Sequence, residues 1–171
     1  MAAPDQEFAL LRATARDEGV LAQLLELYAH DLSDVFQMEV DDSGRYGYER
    51  LKSYFSEPDT RHAFLVRDQG HYAGFALATR GSPASEDAEV YDVAEFFILR
   101  RHRRLGLGRR VAFRLFDALP GRWFVRVSSD NAAALAFWSR VIEDYARGAE
   151  LSAGRPGRLS SWQVFEFDSR V

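Results

Sequence analysis

The sequence predicts a mixed α/β chain, in the α/β or α+β class, with helices packed on a central sheet. Three observations lead there. The chain has 171 residues, a length at which one domain with one sizeable core is expected. Its 47 % hydrophobic and 28 % charged residues are ordinary for a folded soluble protein and far from a disordered one. Its apolar residues repeat now with strand spacing and now with helix spacing, in the order β-α-α-β-β-β-α-β-α-β. No internal repeat or long linker divides the chain, so residues 1–171 are read as a single domain.

Phe8 to Arg12 reads as the first strand. Ala15 to Tyr28 follows as an amphipathic helix, with Val20, Leu21, Leu24, Leu25, Leu27 and Tyr28 at helical spacing. Asp31 to Tyr48 is acidic, aromatic and broken by Ser43, Gly44 and Gly47, which predicts an irregular crossing before a short helix over Glu49 to Phe55. His62 to Arg67 and Tyr72 to Thr79 form a hairpin pattern across Asp68-Gln69-Gly70-His71. After the turn-rich Gly81 to Asp87, Val90 to Leu99 is a nearly continuous apolar strand interrupted by Asp92 and Glu95, the pattern of a central strand. Gly108 to Leu119 reads as a helix closed by Pro120 and Gly121, and Trp123 to Val127 as a strand. Asn131 to Tyr145 is a helix with Asp130 and Asn131 as capping residues. Gly148 to Gly157 is polar and glycine-rich, and Ser161 to Phe167 alternates as the last strand.

Composition removes several function classes. There is no cysteine, so disulfide scaffolds, thiolate nucleophiles, cysteine-type zinc sites and iron–sulfur clusters drop out. His30, His62, His71 and His102 lack metal-ligand spacing, and no metal is expected. Neither a signal-peptide pattern nor a run of about 18 apolar residues is present, which leaves a cytoplasmic chain without membrane contact as the expectation. The formal charge of -4 argues against a nucleic-acid binder, but the mean hides a polarity. Asp31 to Asp59 carries a local balance of -5, and Arg100 to Arg126 one of +8.

The chemistry concentrates at Phe96 to Phe113, where an apolar strand runs through Arg100-Arg101-His102-Arg103-Arg104-Leu105-Gly106-Leu107-Gly108 into a helix. Glycines let the backbone bend and leave N–H groups uncovered. The helix start adds unsatisfied amides and a positive dipole end, and flanking arginines add forked donors. That is a phosphate cradle. It is neither a Walker loop, since no lysine and hydroxyl residue follow the glycines, nor the full dinucleotide fingerprint.

Arg103-Arg104-Leu105-Gly106-Leu107-Gly108 resembles the (Gln/Arg)-x-x-Gly-x-(Gly/Ala) signature of the GNAT family of N-acetyltransferases. Downstream, Val127-Ser128-Ser129-Asp130-Asn131, Ala134 and Phe137-Trp138 resemble that family's fifth strand and fourth helix. The resemblance implies a central mixed, mostly antiparallel sheet with splayed fourth and fifth strands, helices on both faces, and acetyl-CoA in the V between the strands. It implies that amides of Arg104, Leu105, Gly106, Leu107, Gly108 and Arg109 bind the pyrophosphate, with Arg103 shaping the loop. Phe97, Ile98 and Leu99 would meet the pantetheine arm, and Asn131 would contact CoA, a role compatible with capping a helix.

Acetyl transfer to an amine needs a base. Glu95 and Asp92 are the candidates, each also readable as a structural partner of an arginine. Their opposite strand parity predicts that one reaches the cleft, and Glu95 is favoured. A carboxylate among phenylalanines should have a raised pKa. The family's usual tyrosine, which protonates the leaving thiolate, is replaced by Trp138, so Tyr145, another tyrosine or solvent would serve.

The implied activity is transfer from acetyl-CoA to a small-molecule or peptide amine by direct ternary-complex attack, in a monomer or homodimer. The alternative is a catalytically silent acyl-CoA-binding module. Carboxylates interleaved with Tyr28, Phe36, Tyr46 and Tyr48 suggest an acidic, aromatic wall suited to cationic acceptors.

Overall fold

The computed structural model describes residues 8–148, 157–159 and 161–169. One seven-stranded sheet runs through them in the order β1-β2-β3-β4-β5-β7-β6. The strands are β1 (Phe8–Arg12), β2 (Arg61–Asp68), β3 (His71–Arg80), β4 (Tyr91–Ile98), β5 (Arg122–Ser128), β6 (Gly157–Leu159) and β7 (Trp162–Asp168). All neighbouring pairs are antiparallel except β4 and β5, which run parallel. The helices are α1 (Glu18–Phe36), the single turn α2 (Ser53–Ser56), α3 (Leu107–Ala118) and α4 (Ala132–Gly148).

The helices cover both faces because the inner strands bury side chains on both sides. On one face, Leu21, Leu24 and Leu25 of α1 join Leu51, Tyr54, Leu65, Phe75, Leu77 and Phe97 in a core. On the other, Leu115 and Phe116 of α3 and Trp138, Val141 and Tyr145 of α4 pack on Trp123, Val125 and Phe167. Consecutive β4 residues therefore serve opposite cores, Phe97 the α1 face and Phe96 the α3/α4 face.

β4 and β5 pair only over Tyr91↔Trp123, Asp92↔Phe124 and Val93↔Val125. Beyond Val93 the strands part, and the backbone groups that each would offer the other have no strand partner. Register also breaks between β3 and β4: Leu77 faces Glu95, but Ala78 faces Val93, leaving Ala94 as a bulge residue. Gly74 permits a close approach on the same strand pair, since a Cβ there would lie 2.0 Å from the Phe97 carbonyl oxygen.

Several elements differ from the sequence expectation. A 3-10 turn at Ala15–Asp17 precedes α1, which continues to Phe36, so the irregular crossing starts at Gln37 and not at Asp31. Ala29 and Leu32 extend the apolar stripe of Leu21, Leu25 and Tyr28 at helical spacing, which accounts for the extra turns. The short helix over Glu49 to Phe55 is a single turn at Ser53–Ser56. Gln69 and Gly70 form the tight β2–β3 hairpin, both with positive φ. The strand β6, which the sequence expectation lacks, falls after the glycine-rich stretch; most of Gly148 to Gly157 lies outside the described residues.

Candidate functional site

A cleft of about 1130 Å³ opens where β4 and β5 diverge. Its floor is Val93 to Ile98 of β4 and Val125 to Ser128 of β5, and its walls come from α1, the start of α3 and α4.

The loop after β4 forms one wall. Arg103 donates from Nε to the Ile98 carbonyl at 2.6 Å and pairs through its terminal nitrogen with Asp31 of α1. Arg100 reaches the same carboxylate at 2.8 Å. Burial works against ionisation of Asp31, but the hydrogen bonds from Arg103 and Arg100 win and hold its pKa below the usual carboxylate value. This clamp fastens the loop to α1. Arg104 and Gly106 then take left-handed conformations, φ 64° and 78°, turning the chain into α3. Gly106 is the N-cap of α3, so the amides of Leu107, Gly108 and Arg109 occupy its first turn without intrahelical acceptors. Leu105 is exposed, whereas the Leu107 side chain is buried against Val111 and Ile98. Gly108 packs differently from Gly106: a Cβ there would stand 3.2 Å from the Phe137 ring. Arg109 lies over Phe113 at 4.4 Å and donates to Asp144 at 3.1 Å. Asn131 caps α4, its Oδ1 accepting the Ala134 amide at 3.0 Å, while also lining the cleft. Phe97 and Ile98 line the cleft, and Leu99 follows them with its amide donated to Ala73 at 2.8 Å.

The two carboxylates of β4 sit in different surroundings on the same face. Asp92 and Glu95 face Thr79 and Leu77, two residues apart on β3, because the bulge at Ala94 shifts the parity. The parity argument that put them on opposite faces is thereby corrected. Asp92 is wholly buried and receives Arg126 Nε and Nη2, both at 2.9 Å, and the Ser82 hydroxyl at 2.5 Å. Glu95 lines the cleft and accepts the Tyr28 hydroxyl at 2.8 Å and the Tyr48 hydroxyl at 3.1 Å. Burial raises its pKa; the two tyrosine hydrogen bonds and the Arg126 charge offset this only in part. Burial and the Glu95 charge push both tyrosines above their ordinary value, so they stay protonated as donors.

Trp138 is buried in the cleft wall, edge-on to Phe96 and Phe137. Tyr145 is fully buried and donates to Asp117 at 2.8 Å, away from the cleft lining. The tyrosines that do line the cleft are Tyr28 and Tyr48. Phe36 stacks on Trp162 of β7 at 6.2 Å, and both line the cleft. Of the acids between Asp31 and Asp59, Asp31 alone lines it and is held by arginines. The wall is thus aromatic without being acidic.

Sequence reasoning missed Arg126 and the partnership of Tyr28 and Tyr48 with Glu95. Arg126 had a readable signal, as an arginine inside the apolar strand Trp123 to Val127 requires a buried partner. The tyrosines had none, since their distance from Glu95 in sequence is 67 and 47 residues. Among the described residues no cluster of three metal-ligating side chains occurs, and no helix is long and apolar enough to cross a membrane.

Solved structures share this architecture. An acetyltransferase from Thermus thermophilus is 21 % identical with a TM-score of 0.63, over 93 % of this chain and 95 % of that one. Diaminobutyrate acetyltransferase EctA from Paenibacillus lautus, solved with L-2,4-diaminobutyric acid and coenzyme A, is 18 % identical with a TM-score of 0.59, over 95 % of each chain. The aminoglycoside acetyltransferase AAC(6')-Ib, solved with paromomycin and acetyl-CoA, is 13 % identical with a TM-score of 0.66, over 96 % of this chain and 94 % of that one. At these identities the likeness concerns the fold. Comparison with curated protein sequences gives no significant match. The family model of the GNAT acetyltransferases matches residues 21–142, which runs from within α1 to within α4 and takes in the cleft elements between them. With more than half of its length matched, this chain belongs to the acetyltransferase (GNAT) family.

Proposed function

We propose that residues 1–171 act as one acetyltransferase domain that moves an acetyl group from acetyl-CoA directly to an amine, with Glu95 as general base. The observation that carries this reading is the position of Glu95, a half-buried carboxylate of raised pKa at the split of β4 and β5. Acetyl-CoA, when bound, supplies the activated thioester carbonyl. The described residues fit it: first-turn amides of α3, the left-handed Gly106, and strand ends that no longer pair with each other.

In this reading the amides of Arg104 to Arg109 hold the pyrophosphate, and Arg103, clamped by Asp31, keeps the loop in shape. Phe97, Ile98 and Leu99 run along the pantetheine arm where β4 has left β5, the Ile98 carbonyl and Leu99 amide being already engaged by Arg103 and Ala73, and Asn131 adds its side-chain amide from the other side of the cleft. Glu95 takes the proton of the attacking nitrogen through Oε1 or Oε2, directly or through a water. Asp92 is a positioning residue, fixing Arg126 beside the base. The departing thiolate takes its proton from solvent, since Trp138 has no proton to give and a thiolate is a tolerable leaving group. The neighbours solved with coenzyme A or its acetyl thioester support the cosubstrate, and one of them binds an amine that is also an amino acid.

Trp138 at the usual tyrosine position favours one other reading, a module that binds acyl-CoA without turnover. Thiol release separates the two. With acetyl-CoA and a panel of amines, amine-dependent release with an acetylated product by mass spectrometry is expected. Tight CoA binding with release no faster than hydrolysis under every amine is the result that favours the module.

A further inference from the structure

A second cavity of about 350 Å³ adjoins the cleft, and Tyr48, Ala94, Glu95 and Arg126 line both. Its other charged lining is Arg50, Arg61 and Arg80, so four guanidinium groups surround a space whose single carboxylate is Glu95. The carboxylates that pair with three of these arginines stand outside it. Glu57 meets Arg61 at 2.9 Å and Glu89 meets Arg80 at 2.6 Å, both at the solvent-exposed surface, while Asp92 holds Arg126 from within the protein. These pairs leave donors over. Arg61 engages Glu57 through Nε and Arg126 engages Asp92 through Nε and Nη2, of five N–H groups on each fork. Arg50 is exposed and pairs with no carboxylate among the described residues.

The cavity is therefore rich in forked donors and positive at its lining, at the place where the base faces it. Guanidinium forks match carboxylates in plane and spacing. A volume near the lower end of small-molecule pockets, roughly 300–1,000 Å³, suits a group of amino-acid size. We infer that this cavity receives the anionic end of the acceptor, so that the preferred acceptor is a small amine carrying a carboxylate. Its amine lies at Glu95 and its carboxylate among Arg50, Arg61, Arg80 and Arg126. The acidic segment between Asp31 and Asp59 suggested cationic acceptors, but none of its carboxylates lines this cavity and Asp31 in the adjoining cleft is held by Arg100 and Arg103, so the arginines reverse that preference. The inference rests on the acetyltransferase reading for the role of Glu95 and on the cavity alone for the charge.

Matched amines test it: lysine against 1,5-diaminopentane, and ornithine against 1,4-diaminobutane, which differ by the carboxylate. Equilibrium binding of each to the CoA-loaded protein is measured by calorimetry, and thiol release from acetyl-CoA is followed in parallel. The carboxylate-bearing member of each pair is expected to bind at least tenfold more tightly and to show the higher kcat/KM. Arg50→Gln combined with Arg80→Gln should abolish that advantage by weakening lysine and ornithine while weakening neither diamine. Equal or tighter binding of the diamines, the absence of carboxylate-dependent binding, or variants that weaken all four amines alike would overturn the inference. Carboxylate-dependent binding without acetylation would instead support the cavity and count against the transfer reading.

Discussion

Arg126 carries most of the charge balance at the split of the sheet. It is half-buried, its pKa is raised first by its hydrogen bonds to Asp92, and it sits within the field of Glu95. Removing it strands a wholly buried carboxylate with one hydroxyl for company. Arg126→Met should destabilise the fold by about 3–5 kcal/mol, and pairing it with Asp92→Asn should recover part of that loss in urea denaturation, since the neutral amide costs less to bury. His62 offers a separate test by pH. It is buried on β2 with Nδ1 accepting from Arg12 Nη1 at 2.6 Å and Nε2 unpartnered. Burial, then the charges of Arg12 and Arg80, lower its pKa from 6.5 to about 4. The unfolded chain therefore binds a proton that the folded one refuses, and stability falls as pH drops from about 6.5 towards 4, by at most roughly 3 kcal/mol. His62→Gln should flatten that slope in chemical denaturation across the same window. Glu95 was visible in the sequence as an acid inside an apolar strand. Its shared face with Asp92 was not, because one bulge residue, Ala94, changes parity without any mark in composition.

At the scale of elements, the loop from Leu99 to Gly106 and the start of α3 form one device. Asp31 reaches it from α1, so the loop's shape depends on a helix far away in sequence. Gly106 is the position with least tolerance there. A β-branched residue at φ 78° costs about 1–2 kcal/mol in local strain and misdirects the first-turn amides. Gly106→Val should weaken CoA binding tenfold or more in calorimetry, about 1.4 kcal/mol, in a protein that still unfolds cooperatively. Unchanged affinity in that variant would detach the loop from CoA. The strand, loop and helix order here was legible because glycines, arginines and an apolar run meet within a few residues. The end of α1 was less so: acidic residues at Asp31 and Asp34 resemble a loop until the helix spacing of Ala29 and Leu32 is given more weight. The two separate features that make the wall aromatic, Tyr28 from α1 and Tyr48 from the crossing, are joined by Glu95, a tertiary fact with no local signature.

Across the whole molecule, the sheet is two antiparallel halves joined by three residue pairs, and both cavities converge on the residue just past that joint. Helices cover opposite faces of the sheet, α1 on a core drawn from the β2–β4 half and α3 and α4 on a core drawn from both halves. The sequence foretold this architecture through the linked motifs at Arg103 to Gly108 and Val127 to Trp138. It did not foretell the second cavity, whose lining comes from α2, β2, β3, β4 and β5 together. The central claim is that the carboxylate at the convergence accepts the proton of the amine. Because burial raises its pKa, kcat should fall as pH drops through a value above the ordinary carboxylate range, where Glu95 becomes protonated. The most direct measurement is the pH dependence of kcat for the wild type and for Glu95→Gln, with CoA affinity measured on both. The account predicts that the variant loses that acid-side inflection and about 10²-fold in kcat while binding CoA as before. A variant that keeps the inflection and the rate would contradict it.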